Sequence, residues 1–333
     1  MHGATAPDRN LALDLVRVTE AAALAAGRWM GLGDAVAGYR AAVDAVRVMI
    51  ATVPMEGRIV SGDLRAPADD RLAAGEAVGT GAAPAVDAVV DPVDGSGLLA
   101  LGRSNSVSAI AVAEAGSLYS PGPVTYLEKI AVGPSGAGAI DITAPVEDNL
   151  RALARSRRKS VEDLTIVVLD RPRHADLIAQ IRATGARIRL LSDGDVAGAI
   201  MPAFDDTGVD ALFGVGGAAE GVLAACALVC MGGAIQARLC PQTEAEREAM
   251  AAAGLDGQRV LTTTDLVRSQ DVYFAATGVT DGELLRGVQY TGGGARTHSL
   301  TMRSRSGTVR WVESRHRWDK LMHISQVAYD QRS

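Results

Sequence analysis

Short, almost wholly apolar runs of strand length recur along the chain, and they constrain its fold more than any other feature. Runs of this kind are typical of strands that helices cover on both faces. In the first half of the chain they occupy residues 85–90, 106–113 and 126–132. Later strands alternate with helical segments over short connections, at residues 164–170, 186–192 and 210–217. The pattern predicts an α/β fold in which some strands are parallel and helices cover both sheet faces.

The chain also shows where such a fold divides. Two amphipathic helices are predicted before the first strand, at residues 10–30 and 36–50. Residues 145–159 form a polar, basic helix that lacks a strand pattern, so they are the best candidate for a domain junction. We therefore expect an N-terminal α/β domain over residues 1–150 and a C-terminal α/β domain over residues 151–333, with the last strands packing back on the first domain.

Charge and cysteine content exclude several classes of function. With 33 basic and 39 acidic residues the net charge is −6, which does not favour a nucleic-acid partner. The most apolar window, residues 221–235, is shorter than the ~20 residues that span a membrane. The three cysteines have apolar neighbours and no CxxC spacing, so we interpret them as buried thiols in a reducing compartment. We therefore expect a cytoplasmic protein with neither membrane nor nucleic acid as partner.

Acidic residues follow several of the predicted strands. The strongest case is the stretch DPVDGS, where Asp91 and Asp94 follow the strand predicted to end at Val90. Asp63, Asp193, Asp195 and Glu220 also follow predicted strands, and Asp34 lies in a glycine-rich break between the first two predicted helices. Each one alone also fits a helix cap or a solvated loop. Together they favour a cluster of oxygen ligands for a hard divalent cation, since ligand sites of such sheets lie at the carboxyl ends of strands.

Two features beside these acids suit phosphate. Gly95 permits a sharp turn, after which Ser96 and the following amides open a helix. Arg171 and Arg173, in the stretch RPRH, also follow a strand and suit bidentate phosphate binding. We interpret His174 in the same stretch as a structural residue rather than a metal ligand.

At these residues the chain resembles a known family. DPVDGS resembles the signature D-P-[ILV]-[DE]-G-[ST] of the lithium-sensitive, metal-dependent sugar and inositol phosphatases. The segments YLEKIAVGP, RPRHADLIAQI, SDGDVAGAI and GVGGAAEGVLAA together resemble class II fructose-1,6-bisphosphatase, from about residue 10 to about residue 315. The resemblance implies a layered α/β/α/β/α sandwich of the inositol monophosphatase-like type. It also implies hydrolysis of a phosphate ester of fructose 1,6-bisphosphate or sedoheptulose 1,7-bisphosphate.

Residue roles follow from the same resemblance. It implies two sites for Mg²⁺ or Mn²⁺, one held by Asp34 and Asp63 and the other by Asp91, Asp94 and Glu220. Ser96 stands where the family has a threonine that positions the attacking water, and with Asp91 and Asp94 it completes the expected catalytic set. The positions that match substrate contacts in the family are Gly95, Ser96, Tyr126, Arg171, Arg173, Asp193, Gly194, Asp195 and Gly217.

The loop that begins at Gly62 departs from the family pattern G-E-G-E-x-D. Its first acid is shortened to Asp63, its second is replaced by Arg65, and the aspartate that assists the water falls on Pro67. Asp69 or Asp70 is a candidate replacement. Loss of a positioned base slows a reaction roughly 10²–10⁴-fold, so a slow phosphatase is compatible with this loop. We expect Arg65 to face a substrate phosphate, because a cation facing the metal would weaken its binding.

The sequence therefore predicts a metal-dependent sugar bisphosphatase, a phosphoric monoester hydrolase that acts on a small sugar phosphate. Two alternatives remain open at this point. The altered loop also fits a phosphatase for a seven- or eight-carbon sugar bisphosphate of secondary metabolism. It also fits a non-catalytic paralogue that binds a sugar phosphate, although retention of five acids at metal positions argues against that alternative. The apolar helices and the family pattern favour a homodimer or homotetramer.

Overall fold

Two mixed β-sheets with helices on both faces form the framework of the computed structural model, which describes residues 10–62, 64, 71–324 and 327–329. The strands of the described residues are β1 Glu56–Ser61, β2 Ala77–Val78, β3 Ala85–Asp94, β4 Val107–Glu114, β5 Tyr126–Val132, β6 Thr165–Leu169, β7 Arg187–Leu191, β8 Ala211–Gly217, β9 Ala234–Leu239, β10 Leu261–Thr262, β11 Tyr273–Gly278, β12 Gln289–Thr291, β13 Gly294–Arg303 and β14 Thr308–Arg317. The helices are α1 Ala12–Ala26, α2 Ala35–Ile50, α3 Ser96–Leu101, α4 Val146–Arg157, α5 Ala175–Ala183, α6 Val196–Ile200, α7 Ala218–Met231, α8 Glu244–Ala252, α9 Thr263–Leu266 and α10 Trp318–Ile324.

The first sheet has the strand order β12-β13-β11-β4-β3-β1-β2, with β14 on the outer side of β13. Strands β3 and β1 are parallel, whereas β4, β11 and β13 run antiparallel to their neighbours. The C-terminal hairpin β13–β14 thus returns to the sheet that the N-terminal strands began.

The second sheet has the order β10-β9-β5-β8-β6-β7. Strands β6, β7 and β8 are parallel to one another, as the short alternating connections predict, while β5 runs antiparallel to both β8 and β9. The predicted division at residue 150 remains a prediction, and both sheets draw strands from each side of it.

Helices fill three layers around the two sheets. Helices α1 and α2 pack on the outer face of the first sheet, and α4 and α5 pack on the outer face of the second. Helices α6 and α7 lie between the sheets. This arrangement confirms the expected α/β/α/β/α sandwich.

The sequence of α7 explains its central position. Nearly all of its side chains are small or apolar on every face, which is typical of a helix that is covered all round. Its one charged residue, Glu220, lies in the first turn and is 2% exposed. Among the described residues no helix combines the length and apolar character that crossing a bilayer requires.

Candidate active site

The stretch DPVDGS forms the end of β3 and the turn into α3. The strand does not end at Val90, because its ladder to β4 continues through Asp91 and, after an irregularity in register, to Asp94. The Asp91 carboxylate accepts a hydrogen bond from the backbone N–H of Val93 at 3.1 Å. Gly95 then adopts φ 78°, a left-handed conformation that favours glycine, and α3 begins at Ser96. Both acids are thereby held inside the protein rather than in a loop.

Three carboxylates from both sheets meet at this point. Asp91 and Asp94 come from β3, and Glu220 comes from the first turn of α7, directly after β8. One ligand oxygen from each lies within 4.8 Å of the others, and all three residues are buried. Oxygen donors at this spacing suit Mg²⁺ or Mn²⁺. Because buried like charges are costly without a compensating cation, the donor set fits a bound divalent metal.

The environment of Asp94 explains its electrostatics. Burial raises the pKa of this carboxyl well above its ordinary value, and the negative charges of Asp195 and Glu220 raise it further. Its two oxygens accept hydrogen bonds from the backbone N–H groups of Asp195 at 3.2 Å and Val196 at 2.9 Å. The bond from Val196 opposes the shift. Asp94 therefore joins the first sheet to the start of α6.

A cavity of about 310 Å³ opens beside this cluster. Its walls contain most of the residues that the sequence singled out, namely Asp94, Gly95, Ser96, Tyr126, Arg171, Arg173, Asp193, Gly194, Asp195, Gly217 and Glu220. Asp91 is 1% exposed and lies in the acidic cluster. The structure thus brings these residues together at the carboxyl ends of β3, β6, β7 and β8.

The basic side of the cavity is held by contacts within the protein. Arg171 pairs with the Asp193 carboxylate at 2.7 Å and also donates to the backbone carbonyl of Ser192. Arg173 donates to the carbonyl of Val215 at 2.8 Å, and its guanidinium lies 5.1 Å from the centre of the Tyr126 ring. Acids on one side and oriented guanidinium groups on the other suit a substrate that bears phosphate.

His174 lies behind the arginines and is structural, as the sequence analysis interpreted it. Its Nε2 accepts a hydrogen bond from the N–H of Val215 at 2.8 Å, so Nδ1 carries the proton and donates to the carbonyl of Leu169 at 2.7 Å. Burial lowers the pKa of this imidazole. The neutral ring therefore joins β6 to β8 and fixes the turn that carries Arg171 and Arg173.

The other predicted metal ligands lie apart from the cluster or outside the described residues. Asp34 is exposed and caps α2, accepting a hydrogen bond from the N–H of Ala37 at 2.9 Å. Its role as a metal ligand remains a prediction. Asp63 and Arg65 lie outside the described residues, as do Pro67, Asp69 and Asp70.

Sequence reasoning missed two parts of the site. Ala35, Val36 and Tyr39 of α2 form an apolar wall of the cavity, although the sequence marked only Asp34 in that region. Lys129, in the middle of β5, is 1% exposed and pairs with Asp195 at 2.8 Å. A lysine in the middle of the buried strand YLEKIAV was the signal that could have identified it, because a buried charge requires a partner.

Comparison with known proteins agrees with this geometry. The chain matches a family model described as "Bacterial fructose-1,6-bisphosphatase, glpX-encoded" over residues 9–316. A protein of Haemophilus influenzae named fructose-1,6-bisphosphatase class 2 is 41% identical over 333 residues, covering 96% of this chain and 100% of that protein. Proteins of two Synechococcus strains, JA-2-3B'a(2-13) and JA-3-3Ab, are named D-fructose 1,6-bisphosphatase class 2/sedoheptulose 1,7-bisphosphatase. Each is 40% identical over 337 residues, covering 94% of this chain and 97% of the relative.

Proposed function

The chain belongs to the bacterial fructose-1,6-bisphosphatase family, and on that premise we propose that it is a metal-dependent sugar bisphosphatase. Its substrates would be fructose 1,6-bisphosphate, sedoheptulose 1,7-bisphosphate or both, from which it would hydrolyse one phosphate ester. The observation that carries this proposal is a single cavity that is lined by two acids of the buried three-carboxylate cluster, Asp94 and Glu220, and by two oriented arginines. A non-catalytic role and a specialised substrate of secondary metabolism are not favoured, because the relatives that cover nearly the whole chain are named fructose 1,6- or sedoheptulose 1,7-bisphosphatases.

The acidic cluster would hold the catalytic metal. Asp91, Asp94 and Glu220 would bind one Mg²⁺ or Mn²⁺, and Asp34 with Asp63 would contribute to a second site. A cation bound there would neutralise charge on the phosphoryl oxygens and make a coordinated water more acidic. Ser96, at the first position of α3 in the cavity wall, would orient the attacking water.

The remaining cavity residues would bind the substrate. Arg171 and Arg173 would hold the phosphate that is not cleaved, since guanidinium groups bind phosphate with directed hydrogen bonds. Asp193 and Asp195 would accept hydrogen bonds from sugar hydroxyls, and Tyr126 would pack beside the sugar. Gly95, Gly194 and Gly217 would let the backbone approach the ligand closely. Arg65 would contact substrate phosphate from the loop that carries Asp63.

Three further expectations accompany this function. A homodimer or homotetramer is predicted from the apolar helices and the family pattern. A cytoplasmic location is predicted from the cysteine chemistry, and the three cysteines are free thiols in the structure. The division of labour between a metal- and phosphate-binding N-terminal domain and a sugar-binding C-terminal domain is also proposed.

Phosphate release from a panel of sugar bisphosphates, with Mg²⁺, Mn²⁺ or a chelator, tests the proposal. Asp91→Asn should lower turnover by roughly 10³-fold, because it removes a charged ligand from the cluster. Asp87→Asn is the matched control on the same strand. Asp87 is also buried, but its carboxylate accepts a hydrogen bond from the N–H of Leu118 at 3.0 Å, outside the acidic cluster.

The control should retain most of its turnover per folded molecule. Full metal-dependent activity in Asp91→Asn would contradict the proposed site. Absence of metal-dependent phosphate release by the unaltered protein, across the whole panel, would contradict the proposed function itself.

A further inference from the structure

Lys129 is the one buried lysine of the described residues, and its ammonium group contacts residues close in sequence or by hydrogen bond to the acidic cluster. It occupies the middle of β5, between β8 and β9, and its side chain is fully buried. A buried ammonium group is costly, so it is retained only where its contacts compensate for lost hydration. The contacts of Lys129 are therefore informative.

The ammonium group contacts two chain segments. It forms an ion pair with the Asp195 carboxylate at 2.8 Å and donates a hydrogen bond to the carbonyl of Gly217 at 3.2 Å. Each contact lies immediately beside one of the acids. Asp195 donates its backbone N–H to Asp94, and Gly217 is the residue from which α7 begins, three positions before Glu220.

The backbone around these contacts is packed too closely for any side chain. A Cβ at Gly216 would collide with the Asp195 carboxylate and approach Nζ of Lys129 at 3.0 Å. A Cβ at Gly217 would collide with the Glu220 carboxylate. The ammonium group, the Asp195 carboxylate and the Glu220 carboxylate therefore all lie close to the side-chain-free backbone of Gly216 and Gly217.

We propose that Lys129 is a positioning residue, which sets the distance between the Asp94 and Glu220 carboxylates by holding Asp195 and the start of α7 together. This inference rests on the proposed metal site. Lys129 touches neither the substrate cavity nor, in the contacts described, the acids themselves. Residues that orient metal ligands in this way typically account for about 10- to 100-fold in metal affinity.

Geometry and simple electrostatics predict opposite results when the charge is removed. Replacing Lys129 by methionine removes a positive charge close to the acids, which by Coulomb attraction alone would make a divalent cation bind more tightly. Loss of positioning predicts weaker binding instead. The direction of the change therefore separates the two effects.

The test is direct titration of the metal-free protein with Mn²⁺, following free Mn²⁺ by electron paramagnetic resonance. Lys129→Met should weaken Mn²⁺ binding by about 10- to 100-fold. Lys159→Met is the matched control, because Lys159 pairs at 2.7 Å with another buried acid, Asp210, at the opposite end of β8. The control should bind Mn²⁺ as the unaltered protein does.

A second variant guards against simple loss of folding. Lys129→Met combined with Asp195→Asn removes both charges and leaves no unpaired buried ion. It should fold better than the single variant, yet still bind Mn²⁺ weakly, because the link to the Gly217 carbonyl is missing. Unchanged or tighter Mn²⁺ binding in either variant would overturn the inference.

The unaltered protein separates the two proposals. If it binds Mn²⁺ and the Lys129 variants bind equally well, the positioning role is wrong and the metal site stands. If the unaltered protein itself binds no Mn²⁺, the positioning role is wrong, and phosphate release with Mg²⁺ decides separately whether the proposed function stands.

Discussion

Strand β8 has a buried acid at each end, and the two acids differ in what surrounds them. Asp210 precedes the strand and is fully buried, with Arg157 at 2.5 Å and Lys159 at 2.7 Å from its carboxylate. It also accepts the backbone N–H of Thr165 at 2.8 Å. Glu220 follows the strand and is grouped with two further carboxylates, Asp91 and Asp94.

The difference separates an acid that is paired with cations within the chain from one that belongs to the proposed metal site. At Asp210 two cations and an amide compensate the buried charge, so the arrangement is complete within the chain. At Glu220 three carboxylates come within 4.8 Å of one another, and oxygen donors clustered in this way suit a divalent cation. The two ends of β8 should therefore respond in opposite ways to the same loss of charge.

Turnover should show the largest contrast between the two ends. Glu220→Gln should reduce kcat/KM for the preferred sugar bisphosphate by roughly 10³-fold, because the metal loses a charged ligand. Asp210→Asn should keep most of its kcat/KM, since Asp210 does not line the cavity. Comparable losses in both variants, measured by phosphate release at saturating Mn²⁺, would remove the distinction.

Stability should show the reverse contrast. Asp210→Asn should lower the free energy of unfolding by roughly 2 kcal/mol, because it weakens buried, charge-assisted hydrogen bonds. The matched control is Asp163→Asn, which alters an exposed pair with Arg187 and should stay within about 0.5 kcal/mol. Denaturant midpoints of the metal-free proteins measure both effects. If the Asp210 variant is as stable as its control, the contacts of Asp210 only offset the cost of burying its charge and add no net stability.

The smallest expected effect is a pH dependence at the acidic end. Because the pKa of Asp94 is raised above its ordinary value of 3.8, the folded metal-free protein binds this proton more tightly than the unfolded chain. Stability from this group is therefore present at low pH and is lost as pH rises towards the folded-state pKa. Asp94→Asn removes this titrating group. Its melting temperature, relative to that of the unaltered metal-free protein, should therefore increase as the pH is raised from 5 to 8.

Added Mn²⁺ should remove that gain, since the cation compensates the charge in the unaltered protein but binds the variant poorly. A difference in melting temperature that is independent of pH would show that Asp94 is already compensated by the amides of Asp195 and Val196.

Where the chain pattern is local and continuous, the sequence predicted the structure well. The strand at Tyr126–Val132 was predicted to the residue, because seven residues with only two charges leave little alternative to a buried strand. The end of β3 was placed four residues early, at Val90 instead of Asp94, because acids rarely lie inside a buried strand. This exception to the usual composition of buried strands occurs at the end of β3 that carries the acidic cluster.

The composition of the site was more predictable than its supporting contacts. The acids at strand ends and the arginine pair could be read from residue type and position. The tie between Lys129 and Asp195 joins residues 66 positions apart, and no local pattern records such a partnership. The sequence analysis missed the apolar wall from α2 for a similar reason. Ala35, Val36 and Tyr39 look like ordinary helix residues in the sequence, and only the fold brings them into the same cavity as Arg171.

The absence of side chains at Gly216 and Gly217 also limits how the sequence of this protein can evolve. A Cβ at Gly216 would displace the Asp195 carboxylate and one at Gly217 would displace the Glu220 carboxylate, so substitution at either position should disturb the site. The opposite wall carries no such constraint, and Val36 is 53% exposed. New substrate preferences should therefore arise by exchange of residues on α2, and a mutant library aimed at specificity would best begin there.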